Sequence, residues 1–233
     1  MKFSKIIVVL LLAISFTSCS STKILKFEKA QDDIVTTPTL TNFLSKNKSP
    51  KVVLRVNDAS YTVTEDENVD YLYNAIENQL LASGFIVRDR QLFNQIIGND
   101  DNNIDYEKLK EKSDTDLIIE LTKIDPRVLY TTNKYYTKDQ EEKVDKYNTN
   151  ERYGASIEFK VILIESNEFA GIYKFNYTPC VEGCVISKSM KERMEEMRER
   201  REEEAEGYEG VERDELEVFI KNATQQLVAE MRK

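Results

Sequence analysis

Histidine is absent from this chain of 233 residues. Without it there is no Ser-His-Asp or Cys-His nucleophile system and no His-ligated zinc site. Cations are outnumbered: 33 Lys+Arg stand against 42 Asp+Glu, a formal net charge of -9. That balance argues against a nucleic-acid partner, whose phosphates need clustered Lys and Arg. No Gly-rich phosphate loop is present, and no cofactor is implied. The apolar run Ile6 to Ile14 is too short to cross a bilayer, which takes about 20 apolar residues. What is present, 40% apolar residues and 12 Tyr, is compatible with a folded domain. Two placed carboxylates could in principle cleave a glycan. Among 42 acidic residues such pairs arise by chance, so the reading is non-enzymatic.

The first residues address the compartment. Lys2 and Lys5 form a basic start, Ile6 to Ile14 an apolar middle, and Phe16-Thr17-Ser18 leads into Cys19. This layout is that of a secretory signal over residues 1–18. The Cys at the cleavage point resembles a bacterial lipoprotein lipobox, in the relaxed form found in Bacteroidota lipoproteins. The resemblance implies that Cys19 is lipidated and becomes the first mature residue. It implies a partner too: the membrane, reached through the acyl chains, each buried methylene adding about 0.8 kcal/mol. Ser20-Ser21-Thr22-Lys23 lacks the acidic run of surface-exported lipoproteins in that group, which favours an outer-membrane protein facing the periplasm. Removing eighteen residues from 233 leaves 215, and losing two Lys takes the net charge from -9 to -11.

With Cys19 acylated, Cys180 and Cys184 remain, an even number in an oxidising compartment. Pro179 and Gly183 are turn formers, so the segment can fold back. A structural disulfide there would contribute about 2 kcal/mol by loop entropy. A redox or metal-binding thiol pair is the sharper alternative, but two thiols without His are a thin metal site and the spacing is not C-x-x-C.

Residues 19–50 are polar and read as a tether, with a short ordered piece at Leu40 to Leu44. A single domain is expected over 51–233. Lys51 to Val56 is a β-branched strand. Thr64 to Glu67 fits a capping box before a helix carrying Leu72, Ile76 and Leu80, stopped by Gly84. Phe85-Ile86-Val87 is a short strand, and Asp89 caps a second helix closed by Gly98. Tyr106 to Lys112 reads as a helix, and Asp116 to Leu121 as a strand. Ser156 to Glu165 and Gly171 to Tyr177 alternate and make a hairpin about Asn167-Glu168. The last helix, Asp214 to Met231, puts Leu216, Phe219, Ile220, Ala223, Leu227 and Met231 on one stripe. The fold class is α/β, or mixed α+β: a mixed sheet of about four to five strands flanked by helices.

Two stretches stand apart. The polar loop 127–153 holds Tyr130, Tyr135, Tyr136, Tyr147 and Tyr153. Tyr supplies rigid amphipathic area for a partner; a mobile polar loop with scattered Tyr is an equal reading. Residues 188–206 form a charged helix whose Met190, Met194 and Met197 stripe suits docking on the parent domain, with a partner groove as the alternative.

Several local phrases resemble the lipoprotein family that includes the curli secretion channel CsgG and the penicillin-binding-protein activator LpoB. They are Ala82-Ser83-Gly84-Phe85-Ile86-Val87-Arg88-Asp89-Arg90, then Ser113-Asp114-Thr115-Asp116-Leu117-Ile118-Ile119-Glu120, then Ile157 to Glu165, and the C-terminal helix. Channel members send amphipathic hairpins into the membrane from slots near 127–153 and 180–212. Asp139 to Lys146 cannot supply the apolar face of a membrane strand of about 9–11 residues. The resemblance therefore implies the soluble, tethered branch: a lipid-anchored envelope protein that binds another envelope component. The alternative it leaves open is a subunit of an oligomeric secretion or surface-assembly complex.

Overall fold

The computed structural model describes residues 22–56, 69–97, 114–186, 198 and 210–233. The signal segment, Cys19, the capping box at 64–67, Gly98, the helix at 106–112 and, apart from Arg198, the charged helix at 188–206 lie outside the described residues. The fold is mixed α+β, with two sheets. The chain divides into two compact units. Among the described residues, the larger takes those within 28–130, 151–179 and 210–233; the smaller takes those within 22–27, 131–150 and 180–198.

In chain order the elements are β1 (Ile24–Leu25), β2 (Asp33–Thr36), α1 (Pro38–Lys46), β3 (Lys51–Val56), α2 (Asp70–Ala82), β4 (Ile86–Val87), α3 (Arg90–Ile97), β5 (Leu117–Thr132), β6 (Lys134–Tyr136), β7 (Glu142–Val144), β8 (Asn150–Leu163), β9 (Glu168–Tyr177), β10 (Cys184–Val185) and α4 (Arg213–Met231). The larger unit is built on a six-stranded sheet ordered β2-β9-β8-β5-β3-β4. This exceeds the four to five strands expected. β3 lies parallel to both β4 and β5, and β9 runs antiparallel to β2 and β8.

One face of this sheet carries the main core. Val52 and Leu54, Ile119 and Leu121, Ile157 and Phe159, Tyr173 and Phe175 all bury there, with Leu72, Ile76 and Leu80 of α2 and Leu216, Ile220 and Leu227 of α4. The other face buries a smaller cluster, Val53, Ile118, Ile162 and Ile164 with Phe93 of α3. Burial on both faces explains why Val52 to Leu54 of β3 and Leu117 to Ile119 of β5 are consecutive apolar residues, while β8 and β9 alternate.

Within the stretch read as a tether, the expected ordered piece at Leu40 to Leu44 lies in α1, and β1 and β2 precede it. Thr37-Pro38 looks like linker sequence, yet Thr37 is a helix cap and Pro38 the first helical residue. The Leu40 N–H donates to Thr37 Oγ1 at 3.4 Å. Leu40 and Leu44, one turn apart, are then fully or almost fully buried in the core. Each such burial stabilises by about 1.5–3 kcal/mol, enough to hold a nine-residue helix. The β2 strand is held by the Tyr173 phenol, whose oxygen lies 2.9 Å from Thr36 Oγ1.

The stop signal of α2 and the cap signal of α3 are met. Gly84 has φ +87°, and the Phe85 and Gly84 N–H groups donate to the Leu80 and Leu81 carbonyls, closing α2. Asp89 Oδ1 accepts the Leu92 N–H at 2.8 Å and caps α3. The turn between β8 and β9 has Asn167 at φ +50°. All six predicted stripe residues of α4 are buried.

Candidate functional site

The expected Tyr-rich loop is not a loop. Residues 127–153 are the end of β5, then β6 and β7, then the start of β8. β6 and β7 escape sequence reading because each is only three residues long, too short for alternation to show.

The five tyrosines consequently divide. Tyr130 belongs to the larger unit: its hydroxyl lies 3.2 Å from Thr178 Oγ1, and its ring lies over Gly154. Tyr153 is half-buried and packs against the main core. Tyr135, Tyr136 and Tyr147 belong to the smaller unit. Both Tyr130 and Tyr153 are thus framework residues, while the other three remain candidates for contact.

The smaller unit contains a four-stranded sheet ordered β10-β1-β6-β7. Ile24 pairs with Val185 on one side and Tyr136 on the other; Tyr136 pairs with Glu142, and Lys134 with Val144. Alternation puts Val185, Ile24, Tyr136 and Val144 on one face. Tyr135 and Lys143 take the opposite face. Lys26 Nζ sits 5.4 Å from the centre of the Tyr136 ring, and Lys23 Nζ 4.6 Å from that of Tyr135. The Tyr136 hydroxyl donates to Glu142 Oε2 at 3.0 Å, and Lys134 Nζ lies 2.9 Å from Glu142 Oε1. Hydrogen bonds from Lys134, then Tyr136, hold the Glu142 carboxyl below its ordinary range.

Asp145 fixes the turn that follows. Its carboxylate accepts from the Tyr147 and Asn148 N–H groups and from Lys23 Nζ, at 3.1, 3.2 and 3.2 Å. Hydrogen bonds from the Tyr147 N–H first, then from the Asn148 side-chain amide (Nδ2, 3.2 Å) and Lys23, bring its pKa to about 2. Tyr147 itself is 94% exposed.

Cys180 and Cys184 form the expected disulfide. It closes the turn in which Cys180 has φ +53° and Gly183 φ +108°. A Cβ at Gly183 would come 2.8 Å from Ile24 Cγ2. The bridge thereby sets β10 against β1.

A charged ladder on the larger sheet was not foreseen. Arg55 of β3 lies opposite Glu120 of β5 in the register, Nη1 to Oε1 at 3.6 Å, and Lys160 of β8 approaches the other Glu120 oxygen at 3.9 Å. Glu120 is 6% exposed and Arg55 9%. Beside them Thr122 Oγ1 contacts Glu158 Oε1 at 3.2 Å. The signal was a single charge inside each apolar run, KVVLRV and LIIEL. Such charges share the face of Val53 and Ile118 and must be paired to be buried. Among the described residues every buried side-chain nitrogen or oxygen has a hydrogen-bond partner, and no group of three or more acidic or Cys side chains is placed to hold a metal.

The phrases that carry the family resemblance perform framework work. Asp116 Oδ2 accepts the Lys51 N–H at 2.8 Å. Asp114 binds Lys51 and Arg88. Arg90 stacks on the Tyr73 ring at 4.9 Å and lies 3.8 Å from Glu77, whose carboxyl is raised chiefly by burial.

One further feature concerns association. β2 is the end strand of the larger sheet. The Thr37 N–H donates to the Ala170 carbonyl, and the register pairs Val35 with Ile172 and Asp33 with Lys174. Alternation of an antiparallel ladder then turns the N–H and C=O of Ile34 and Thr36 toward the open edge. Val35 is 56% exposed there.

No family model and no curated protein matches the chain. Among solved structures, a PelC dodecamer from Paraburkholderia phytofirmans is similar at TM-score 0.40 and 8% identity, over 86% of this chain and 98% of that one. A second crystal form of that dodecamer, carrying a point substitution, gives TM-score 0.41 and 9% identity over 88% and 100%. A PDZ domain protein from Parabacteroides distasonis gives TM-score 0.27 and 12% identity over 76% of this chain and 35% of its own. At these distances no family is assigned to the chain.

Proposed function

We propose that this chain is a lipid-anchored outer-membrane protein of the CsgG/LpoB-like group, without catalytic activity, that binds another component of the cell envelope from the periplasmic side. The observation that carries the reading is the Cys180–Cys184 disulfide, taken together with the lipobox-like sequence at Cys19. A bridged pair belongs to an oxidising compartment, and the third cysteine occupies the position that lipidation requires. Tyr147 supports the binding half of the reading. It is displayed almost completely, on a turn that Asp145 holds in place. An aromatic side chain so presented suits a partner surface better than it suits water.

The test has two arms. Labelled palmitate should enter the native protein in its host and fail to enter Cys19→Ala. A photo-crosslinking residue at position 147 should capture an envelope component, while the same residue at position 130 should not. Capture that is equal at both positions, or absent at 147, would sink the partner assignment.

The second reading is an oligomeric subunit of a secretion or surface-assembly complex. The open β2 edge favours it, because an end strand with outward N–H and C=O groups can pair with another chain. Light scattering on the detergent-extracted protein discriminates: a discrete multimer supports this reading, and a monomer supports the adaptor.

A further inference from the structure

From the smaller unit we infer that the face of its sheet bearing Val185, Ile24, Tyr136 and Val144 lies on the bilayer surface, with Lys26 and Lys134 at the headgroups. The inference rests on the proposed acylation of Cys19. Only four residues lie between that Cys and Ile24, the first residue of β1, five steps along the chain. A fully extended chain spans at most about 3.6 Å per residue, so β1 is held within about 18 Å of the anchored sulfur. The region expected to be a tether of some thirty residues is therefore a short leash. The sheet cannot leave the interface while the lipid stays inserted.

The composition of the face suits that position. Val185 is 62% exposed and Val144 53%. They stand on the same face as Tyr136, whose ring is amphipathic and suited to the membrane–water boundary. Lys26 lies over the Tyr136 ring, and Lys134 is opposite Val144. Lys side chains can lay their stems along apolar surface and keep the ammonium among headgroups. The carboxylate on this face, Glu142, is already bonded by Lys134 and Tyr136, so it brings no unpaired negative charge to the lipid. In the strands and turns of the sheet itself, residues 22–27, 131–150 and 180–186, six Lys stand against five Asp or Glu, so these segments are close to neutral.

The chain has no Trp, so a single introduced Trp is an unambiguous probe. The protein from Cys19 onward is coupled at that thiol to a maleimide phospholipid; the other two cysteines are bridged and do not compete. It is then placed on vesicles of phosphatidylethanolamine and phosphatidylglycerol. Val185→Trp and Val144→Trp should shift to shorter emission wavelength and lose intensity when the vesicles carry brominated acyl chains. Tyr135→Trp, on the opposite face, should do neither. Chains that co-float with the vesicles while the indoles at positions 185 and 144 stay unquenched would overturn the inference. So would equal quenching at position 135, or a blue shift that grows with protein density and ignores the brominated lipid, which marks a second copy or another protein on this face. Because the lipid is attached chemically, these outcomes are independent of natural acylation, which the palmitate experiment reads separately.

Discussion

The ring of Tyr130 lies on Gly154. A Cβ built on that glycine would stand 2.5 Å from Tyr130 Cε2 and 2.3 Å from the Tyr177 carbonyl oxygen. Space for the ring thus exists only because residue 154 has no side chain. Gly154→Ala should destabilise the larger unit by about 1–3 kcal/mol, the usual cost of overpacking. Tyr130→Ala should relieve the ring contact but not the backbone one, so the double variant should remain less stable than Tyr130→Ala alone. Chemical denaturation of the four proteins checks this, and Gly154→Ala behaving like the parent would contradict it.

Residues before the first predicted strand belong to the fold. Leu40 and Leu44 are 0% and 2% exposed. Leu40→Ala or Leu44→Ala should each cost about 2–5 kcal/mol. A chain starting at Lys51 should lack both α1 and the end strand β2 and fail to give a cooperative unfolding transition. Were it to melt like the full chain, the 33–46 stretch would be an appendage after all.

Reduction of the Cys180–Cys184 bridge should act locally. Loop entropy assigns about 2 kcal/mol to a ring this small. The partners of β10 feel the loss first: Leu25 stands opposite Cys184, and the Ile186 N–H donates to the Lys23 carbonyl at 2.8 Å. Hydrogen exchange of the Ile186 amide should accelerate on reduction, while amides of β8 and β9 in the larger sheet should not change. Uniform acceleration across both units would oppose this.

Acid should loosen the turn at Asp145. Its pKa in the folded protein is about 2 against an ordinary 3.8. A carboxyl lowered on folding contributes stability that is complete above the ordinary value and is lost as pH falls through the folded one. The window therefore runs from about 4 down to about 2. A carboxyl-detected NMR titration should place the Asp145 midpoint near the lower end. In Asp145→Asn the amides of Tyr147 and Asn148 should no longer respond to pH across that window. A midpoint close to 3.8 would contradict the hydrogen-bond account.

Glu142 makes a related but salt-dependent case. Its carboxyl is lowered first by the hydrogen bond from Lys134 and then by that from Tyr136. Lys134→Met should raise the Glu142 midpoint toward the ordinary value, and added salt should do the same in the parent protein, because exposed pairs are screened. A midpoint indifferent to both changes would place the cause elsewhere.

Local chemistry was legible throughout the larger unit. Gly84 stops α2, Asp89 caps α3, Asn167 turns β8 into β9, and the α4 stripe buries as its spacing requires. Each signal acts over a few residues, and each is satisfied by neighbours in the chain. The disulfide belongs here too, since Pro179 and Gly183 fold the segment back within four residues.

The remainder came from tertiary contact. Tyr130 and Tyr135 look alike in sequence, five residues apart. One is fixed over Gly154, and the other faces Lys23 in a different unit. The strand β6 has β1 to pair with, a partner more than a hundred residues earlier in the chain, and β7 pairs in turn with β6. The single charges Arg55 and Glu120 become a buried pair only when β3 and β5 align side by side. Where α2 ends and α3 begins, and which faces are apolar, could be read from the chain, because both depend on spacing along one segment. Which polar residues are framework and which are displayed could not, because pairing across distant segments has no local signal.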